Sequence, residues 1–204
     1  MTAITRTALL ALGALLLLAA CGGDDAAPKT LSGYELTPPP SVAALSLPDV
    51  SNGGSDFPFI ADDGRLLIVY FGYTYCPDVC PTTLAEVKKA FRQMDEGDVA
   101  KVDVVMITID PDRDTDEVIT GYAQSFIPGA HALRTTDSAA LEATAAAFGA
   151  SYSVETNASG EIEVGHSAAM YVVDERGDVV LTWPFGIPAE GIATDLEILF
   201  ERSN

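Results

Sequence analysis

Val69-Tyr-Phe-Gly-Tyr-Thr-Tyr-Cys76-Pro-Asp-Val-Cys80-Pro-Thr-Thr-Leu84 is the stretch that decides the fold. Its start belongs to Leu66–Phe71, an unbroken apolar run of the kind that forms a strand covered on both faces. Pro81 suits the first helical position, where a missing N–H is no loss. Leu84, Val87, Lys88 and Phe91 then recur at helical spacing, which predicts a helix from Pro81 to about Met94. Strand, tight turn and helix follow one another without a gap. The turn sets the Cys76 and Cys80 thiols side by side in a loop expected to be exposed. Cys80 falls near the N-cap, where the helix dipole favours thiolate over thiol.

The pattern continues outward. Val102–Ile109 is a second buried strand, and Asp114 or Thr115 can cap a helix running to about Phe126. Ser138 to about Phe148 is an Ala-rich helix stopped at Gly149. Ala169–Val173 and Asp178–Trp183 flank Asp174-Glu-Arg-Gly-Asp178, which reads as a hairpin turn. Pro188 to about Glu201 closes the chain as a helix. Strand–helix–strand, then a hairpin and a helix, predicts a thioredoxin-like α/β sandwich with a central mixed sheet flanked by helices, over residues 49–204.

Ahead of this domain, Arg6 and the apolar run Ala8–Ala20 form a targeting segment too short to span a bilayer as a mature helix. The run ends in Leu18-Ala-Ala-Cys21, which resembles the lipobox of bacterial lipoproteins. That resemblance implies removal of residues 1–20, lipidation of Cys21 and exposure of the domain on the extracytoplasmic side of a cell membrane. Residues 21–48, rich in Gly, Asp, Ala and Pro, are expected to be a flexible tether. Eleven basic residues face 30 acidic ones, a formal charge of −19. Such a balance excludes a nucleic-acid partner, which needs a basic footprint.

With Cys21 committed to lipid, Cys76 and Cys80 are the remaining cysteines. A staple across so short a loop would remove little unfolded-state entropy, so a purely structural disulfide is a poor reason for the pair. Two readings stay open. In one, the pair is a thiol–disulfide oxidoreductase centre. In the other, the thiolates hold a metal and need a third ligand. Of the two histidines, His131 in Pro128-Gly-Ala-His-Ala reads as an ordinary loop residue. His166 precedes a predicted strand, where thioredoxin-like oxidoreductases carry a proline, and no proline lies between Ile162 and Thr182. Two cysteines and a histidine suit copper in either oxidation state; zinc accepts the same trio but usually wants a fourth ligand. A peroxide-reducing enzyme fits poorly, because Pro81-Thr-Thr83 follows the pair instead of preceding it.

Three blocks now carry a resemblance. Phe71–Glu86, Ile107-Thr-Ile-Asp-Pro-Asp-Arg-Asp-Thr115 and His166-Ser167 ahead of Met170–Asp174 are together similar to the Sco/SenC family of copper-binding, thioredoxin-like proteins. The resemblance runs from about Leu45 to the C-terminus. It implies copper carried by Cys76, Cys80 and His166, and delivery to the dinuclear copper site of cytochrome c oxidase. For some members it implies reduction of that site's cysteines or redox signalling instead. Two positions depart from the family pattern: Gly165 stands where an acid often precedes the histidine, and Tyr75 where a histidine often precedes the first cysteine. Asp110 and Asp114 are expected to serve turn and helix capping, and Asp78 to be a solvated turn residue.

Overall fold

A computed structural model describes residues 29–203. The elements in chain order are β1 (Ser46–Asp49), a 3-10 turn (Val50–Asn52), β2 (Ser55–Pro58), β3 (Leu66–Gly72), α1 (Val79–Phe91) and α2 (Glu96–Val99). There follow β4 (Val102–Thr108), α3 (Asp116–Phe126), β5 (His131–Leu133), α4 (Ser138–Phe148), β6 (Tyr152–Thr156) and β7 (Ile162–His166). β8 (Met170–Val173), β9 (Val179–Trp183) and α5 (Ala189–Ser203) complete the chain. Seven strands form one mixed sheet in the order β2-β1-β5-β4-β3-β8-β9. β3 runs parallel to β4 and antiparallel to β8, and β4 runs parallel to β5. β6 and β7 pair as a separate hairpin. This is the thioredoxin-like sandwich that the order of strands and helices predicts.

The two-residue period of β3 divides its side chains between two cores. Leu66, Ile68 and Tyr70 face a layer with Leu84 of α1, Ile119 of α3 and Leu196 of α5, and Cys76 and Cys80 lie in the same layer. Leu67, Val69 and Phe71 face the other side, against Leu141, Ala145 and Phe148 of α4. Every residue of β3 is buried, which is why the run is apolar throughout. Thr115 caps α3, its hydroxyl accepting from Val118 N. Asp137 caps α4, which ends on Gly149 in the left-handed conformation.

Several expectations are corrected. α1 begins at Val79 and not at Pro81, so Cys80 lies inside the first turn and Asp78 is the N-cap residue. Pro81 is tolerated there because the first four N–H groups of a helix have no intrahelical partner. Residues before 49 are not all tether. The buried Asp195 carboxylate accepts from Ser32 N at 2.8 Å, Gly33 N at 2.9 Å and Trp183 Nε1 at 2.8 Å. A Cβ on Gly33 would meet Thr182 O at 2.8 Å, so only glycine permits this approach. Val42 is fully buried. His131 is a strand residue, and its Nδ1 is 2.7 Å from the buried Asp49 carboxylate. The leader and Cys21 lie outside the described residues. Among the described residues no helix is long and apolar enough to cross a membrane.

Candidate metal centre

The C-terminal end of β3, the first turn of α1 and the end of β7 converge. They bring Cys76, Cys80 and His166 together, with one ligand atom of each lying within 4.8 Å of the others. Cys80 Sγ is 3.7 Å from His166 Nε2. His166 Nδ1 is 3.0 Å from Ser167 O. A carbonyl only accepts, so Nδ1 carries the proton and Nε2 presents its lone pair to the sulfurs. Burial keeps the His166 imidazole below its ordinary pKa, opposed by the Ser167 carbonyl, so the ring is neutral and ready to bind a metal.

The two thiols sit in opposite environments, and neither is exposed: Cys76 is 8% and Cys80 0% accessible. The outward position of the loop goes to Tyr75, which is 60% exposed. Cys80 N donates to Cys76 Sγ at 3.3 Å, so the free N–H groups of α1 converge on Cys76 and not, as expected, on Cys80. Burial works against the Cys76 thiolate, but the backbone N–H groups of Cys80, Asp78 and Val79 hold its thiol below the ordinary value. Burial pushes the Cys80 thiol up to about 12, with a hydrogen bond from Tyr70 opposing it. At neutral pH Cys80 therefore keeps its proton, with Cys76 Sγ and His166 Nε2 both beside it. A metal ion replaces that proton.

The surroundings hold the three side chains in place. The Tyr70 hydroxyl donates to Cys80 Sγ at 3.3 Å. The rings of Tyr73 and Tyr70 stand edge-to-face on His166 at 5.8 and 6.3 Å. Asp114 is fully buried and is not a cap. It accepts from Thr74 N at 3.1 Å, from the Thr74 hydroxyl and from the Thr108 hydroxyl at 2.7 Å, tying the loop before Cys76 to the end of β4. Asp110, also buried, pairs with Arg113, whose guanidinium stacks 4.9 Å over the ring of Tyr75. Asp78 has no cap hydrogen bond of its own and accepts from the Thr82 hydroxyl at 3.3 Å.

The donor set fits a three-coordinate ion. Metal–thiolate and metal–imidazole bonds of about 2.3 and 2.0–2.1 Å, opened to 120°, separate sulfur from nitrogen by about 3.8 Å. Cys80 Sγ and His166 Nε2 already stand at that separation, 3.7 Å, and Cys76 Sγ lies within 4.8 Å of both. Fold and site define a thioredoxin-like protein whose cysteine pair is joined by a histidine, a cluster that could hold a metal ion. The SCO1/SenC family model matches residues 57–201, and the chain belongs to that family. The mitochondrial SCO2 homolog of Homo sapiens is 37% identical over 120 residues, covering 56% of this chain and 43% of that protein. Matches to the first curated relatives span between 41% and 62% of those proteins' own length. The apo Sco1 structure from Thermus thermophilus aligns with a TM-score of 0.72 at 33% identity, covering 85% of this chain and 99% of that one. The copper-bound ScoI structure from Bradyrhizobium japonicum aligns with a TM-score of 0.63 at 29% identity, covering 76% and 96%.

Sequence reasoning missed Tyr70 as a site residue. Its signal is a lone hydroxyl-bearing side chain in an otherwise apolar strand, six positions before the first cysteine.

Proposed function

We propose that this chain carries copper as cargo, held by the Cys76 and Cys80 thiolates and His166 Nε2, and hands it to the thiolates of an acceptor. The observation that carries this reading is the convergence of the three ligand atoms, with Cys80 Sγ and His166 Nε2 already 3.7 Å apart. Two thiolates satisfy Cu(I); the imidazole makes Cu(II) acceptable as well. Transfer proceeds by ligand exchange. An acceptor thiolate binds the ion, the bond to Cys76 breaks and Cys76 leaves as a thiolate, and Cu(I) keeps its oxidation state throughout. Oxidation of the pair to a disulfide removes both sulfur donors and links loading to thiol redox state. The family resemblance points to the copper-bearing subunit of cytochrome c oxidase as the acceptor. A lipid anchor on Cys21 would keep the domain near such a membrane-embedded partner at high effective concentration.

The test is an anaerobic copper titration of the reduced chain beside its His166→Ala and Cys76→Ala/Cys80→Ala variants, read by bound copper and by thiolate-to-Cu(II) absorbance. One copper per chain is expected, lost in the double cysteine variant. His166→Ala is expected to lose Cu(II) before Cu(I). Equal copper content in wild type and double variant refutes the reading. No bound copper, with the pair still cycling between thiol and disulfide, assigns the chain to thiol–disulfide exchange.

A further inference from the structure

Tyr70 stands in a strand whose other side chains are Leu66, Leu67, Ile68, Val69 and Phe71. It is fully buried, and a buried hydroxyl demands a partner that a Phe in the same place would not. The hydroxyl donates to Cys80 Sγ at 3.3 Å, with the Thr83 side chain as a second partner. Two positions on, on the same strand face, Gly72 leaves the room for it. A Cβ there would stand 2.7 Å from Tyr70 Cε1 and 3.0 Å from Cys80 Sγ. β3 thus supplies both the donor and the gap that lets donor and sulfur meet. His166, the third group around this sulfur, packs edge-to-face on the Tyr70 ring at 6.3 Å.

We propose that Tyr70 is a positioning residue of the metal centre, its hydroxyl holding the Cys80 sulfur in place and weakening that sulfur's bond to copper by donating a hydrogen bond to it. The proposal rests on the copper-carrying reading above. A thiolate that accepts a hydrogen bond has less electron density to give a metal, and hydrogen bonds around a ligating sulfur tune copper sites. Tyr70 keeps its proton and no electron moves. The consequence is functional. Cys76 meets the free N–H groups of a helix start, Cys80 meets a hydroxyl, and both sulfurs are restrained as donors. A carrier needs such restraint, because its cargo must leave.

The test is Tyr70→Phe in the full chain, reduced and held in detergent micelles. Without copper, the S–H stretching band of Cys80, isolated in a Cys21→Ser/Cys76→Ser background, is expected to move when the hydroxyl is removed. With copper, Tyr70→Phe is expected to retain one ion per chain. Its thiolate-to-Cu(II) band should shift to longer wavelength, and Cu(I) should pass to a competing dithiol chelator several-fold more slowly. Unmoved S–H and charge-transfer bands overturn the proposal, including when the variant melts earlier, since that outcome describes a packing role alone. If the wild type takes up no copper, the copper-carrying reading fails by itself. The S–H band still decides the tyrosine: a moved band supports its hold on the sulfur, and an unmoved one refutes it.

Discussion

Asp114→Ala removes a carboxylate that is fully buried and bonded to Thr74, two residues before Cys76. Three donors lose it: Thr74 N, the Thr74 hydroxyl and the Thr108 hydroxyl. A hydrogen bond to a charged group contributes about 1.5–3 kcal/mol, but the three share one acceptor and do not add in full. Thr74 is half-buried, so water replaces part of what it loses; Thr108 is fully buried and is left without an acceptor. An orphaned buried hydroxyl costs about 1–3 kcal/mol. Relief of the buried charge offsets some of the total, leaving a loss of about 3–4 kcal/mol. At about 2–4 °C per kcal/mol for a chain of this size, the melting temperature falls by about 6–16 °C. Thr74 lies two residues before Cys76, so the loop also loses its anchor at the metal centre. Copper should be held about tenfold more weakly, although no ligand is touched, a change worth about 1.4 kcal/mol. Asp114→Asn keeps one acceptor oxygen and should fall between the two. Thr115→Ala is the control, because it removes the actual cap of α3, costs about 1 kcal/mol and leaves copper alone. Differential scanning calorimetry and a competitive copper titration read both effects. An Asp114→Ala chain that melts with the wild type and holds copper as tightly refutes the argument.

Two further outcomes follow from the same geometry. Gly72→Ala places a Cβ 2.7 Å from Tyr70 Cε1 and 3.0 Å from Cys80 Sγ. Overpacking of this kind costs about 1–3 kcal/mol, and the displaced sulfur should lower copper affinity; unchanged affinity by competitive titration contradicts the proposed crowding. The opposite shifts of the two thiols predict that iodoacetamide labels Cys76 well before Cys80 in the reduced, metal-free chain, as peptide mass spectrometry would show. The sign for stability follows for Cys80. Its folded value is raised from 9.0 to about 12, so the native chain holds a proton that the unfolded chain releases, and stability is lost as pH rises from about 9 to about 12. Cys80→Ser should flatten that alkaline loss in urea denaturation, and an unchanged slope counts against the buried-thiol account.

The long elements were legible because each has one dominant local cause. β3 and β4 are unbroken apolar runs, and α4 is an Ala-rich segment between an aspartate cap and a glycine stop. β1, β2 and the β6–β7 hairpin left no such mark. Tyr152–Thr156 and Ile162–His166 are exposed or half-buried at every position, so no alternation separates an inner from an outer face. β5 is three residues long and owes its strand to pairing with β4. Within the site, Cys76 and Cys80 stood out by their spacing, His166 by its place before a strand and by the family resemblance, and the fold brings the three together. Their burial could not be read, because that depends on Tyr75 turning outward and on the β7 end closing over the sulfurs. Asp114 looked like a cap because it stands one residue before Thr115, and only the fold shows that the backbone turns it inward to Thr74 and Thr108.

The misplaced helix start has the widest consequence. Had α1 begun at Pro81, its dipole would have favoured the Cys80 thiolate. Starting at Val79, it directs a backbone N–H to Cys76 and carries Cys80 inward beneath Tyr70 and His166. One motif therefore yields two unlike sulfurs. Cys76 is the sulfur that can stand alone as a thiolate when its bond to a metal breaks, because the N–H groups that lower its pKa do not move. Cys80 cannot, since burial penalises its free thiolate and something positive must replace the proton it keeps. On the copper-carrying reading this orders the exchange: Cys76 yields first to an incoming thiolate, and Cys80 releases only when the ion itself leaves and a proton returns. The release step then consumes a proton that loading had set free, so lower pH should speed the last stage of transfer.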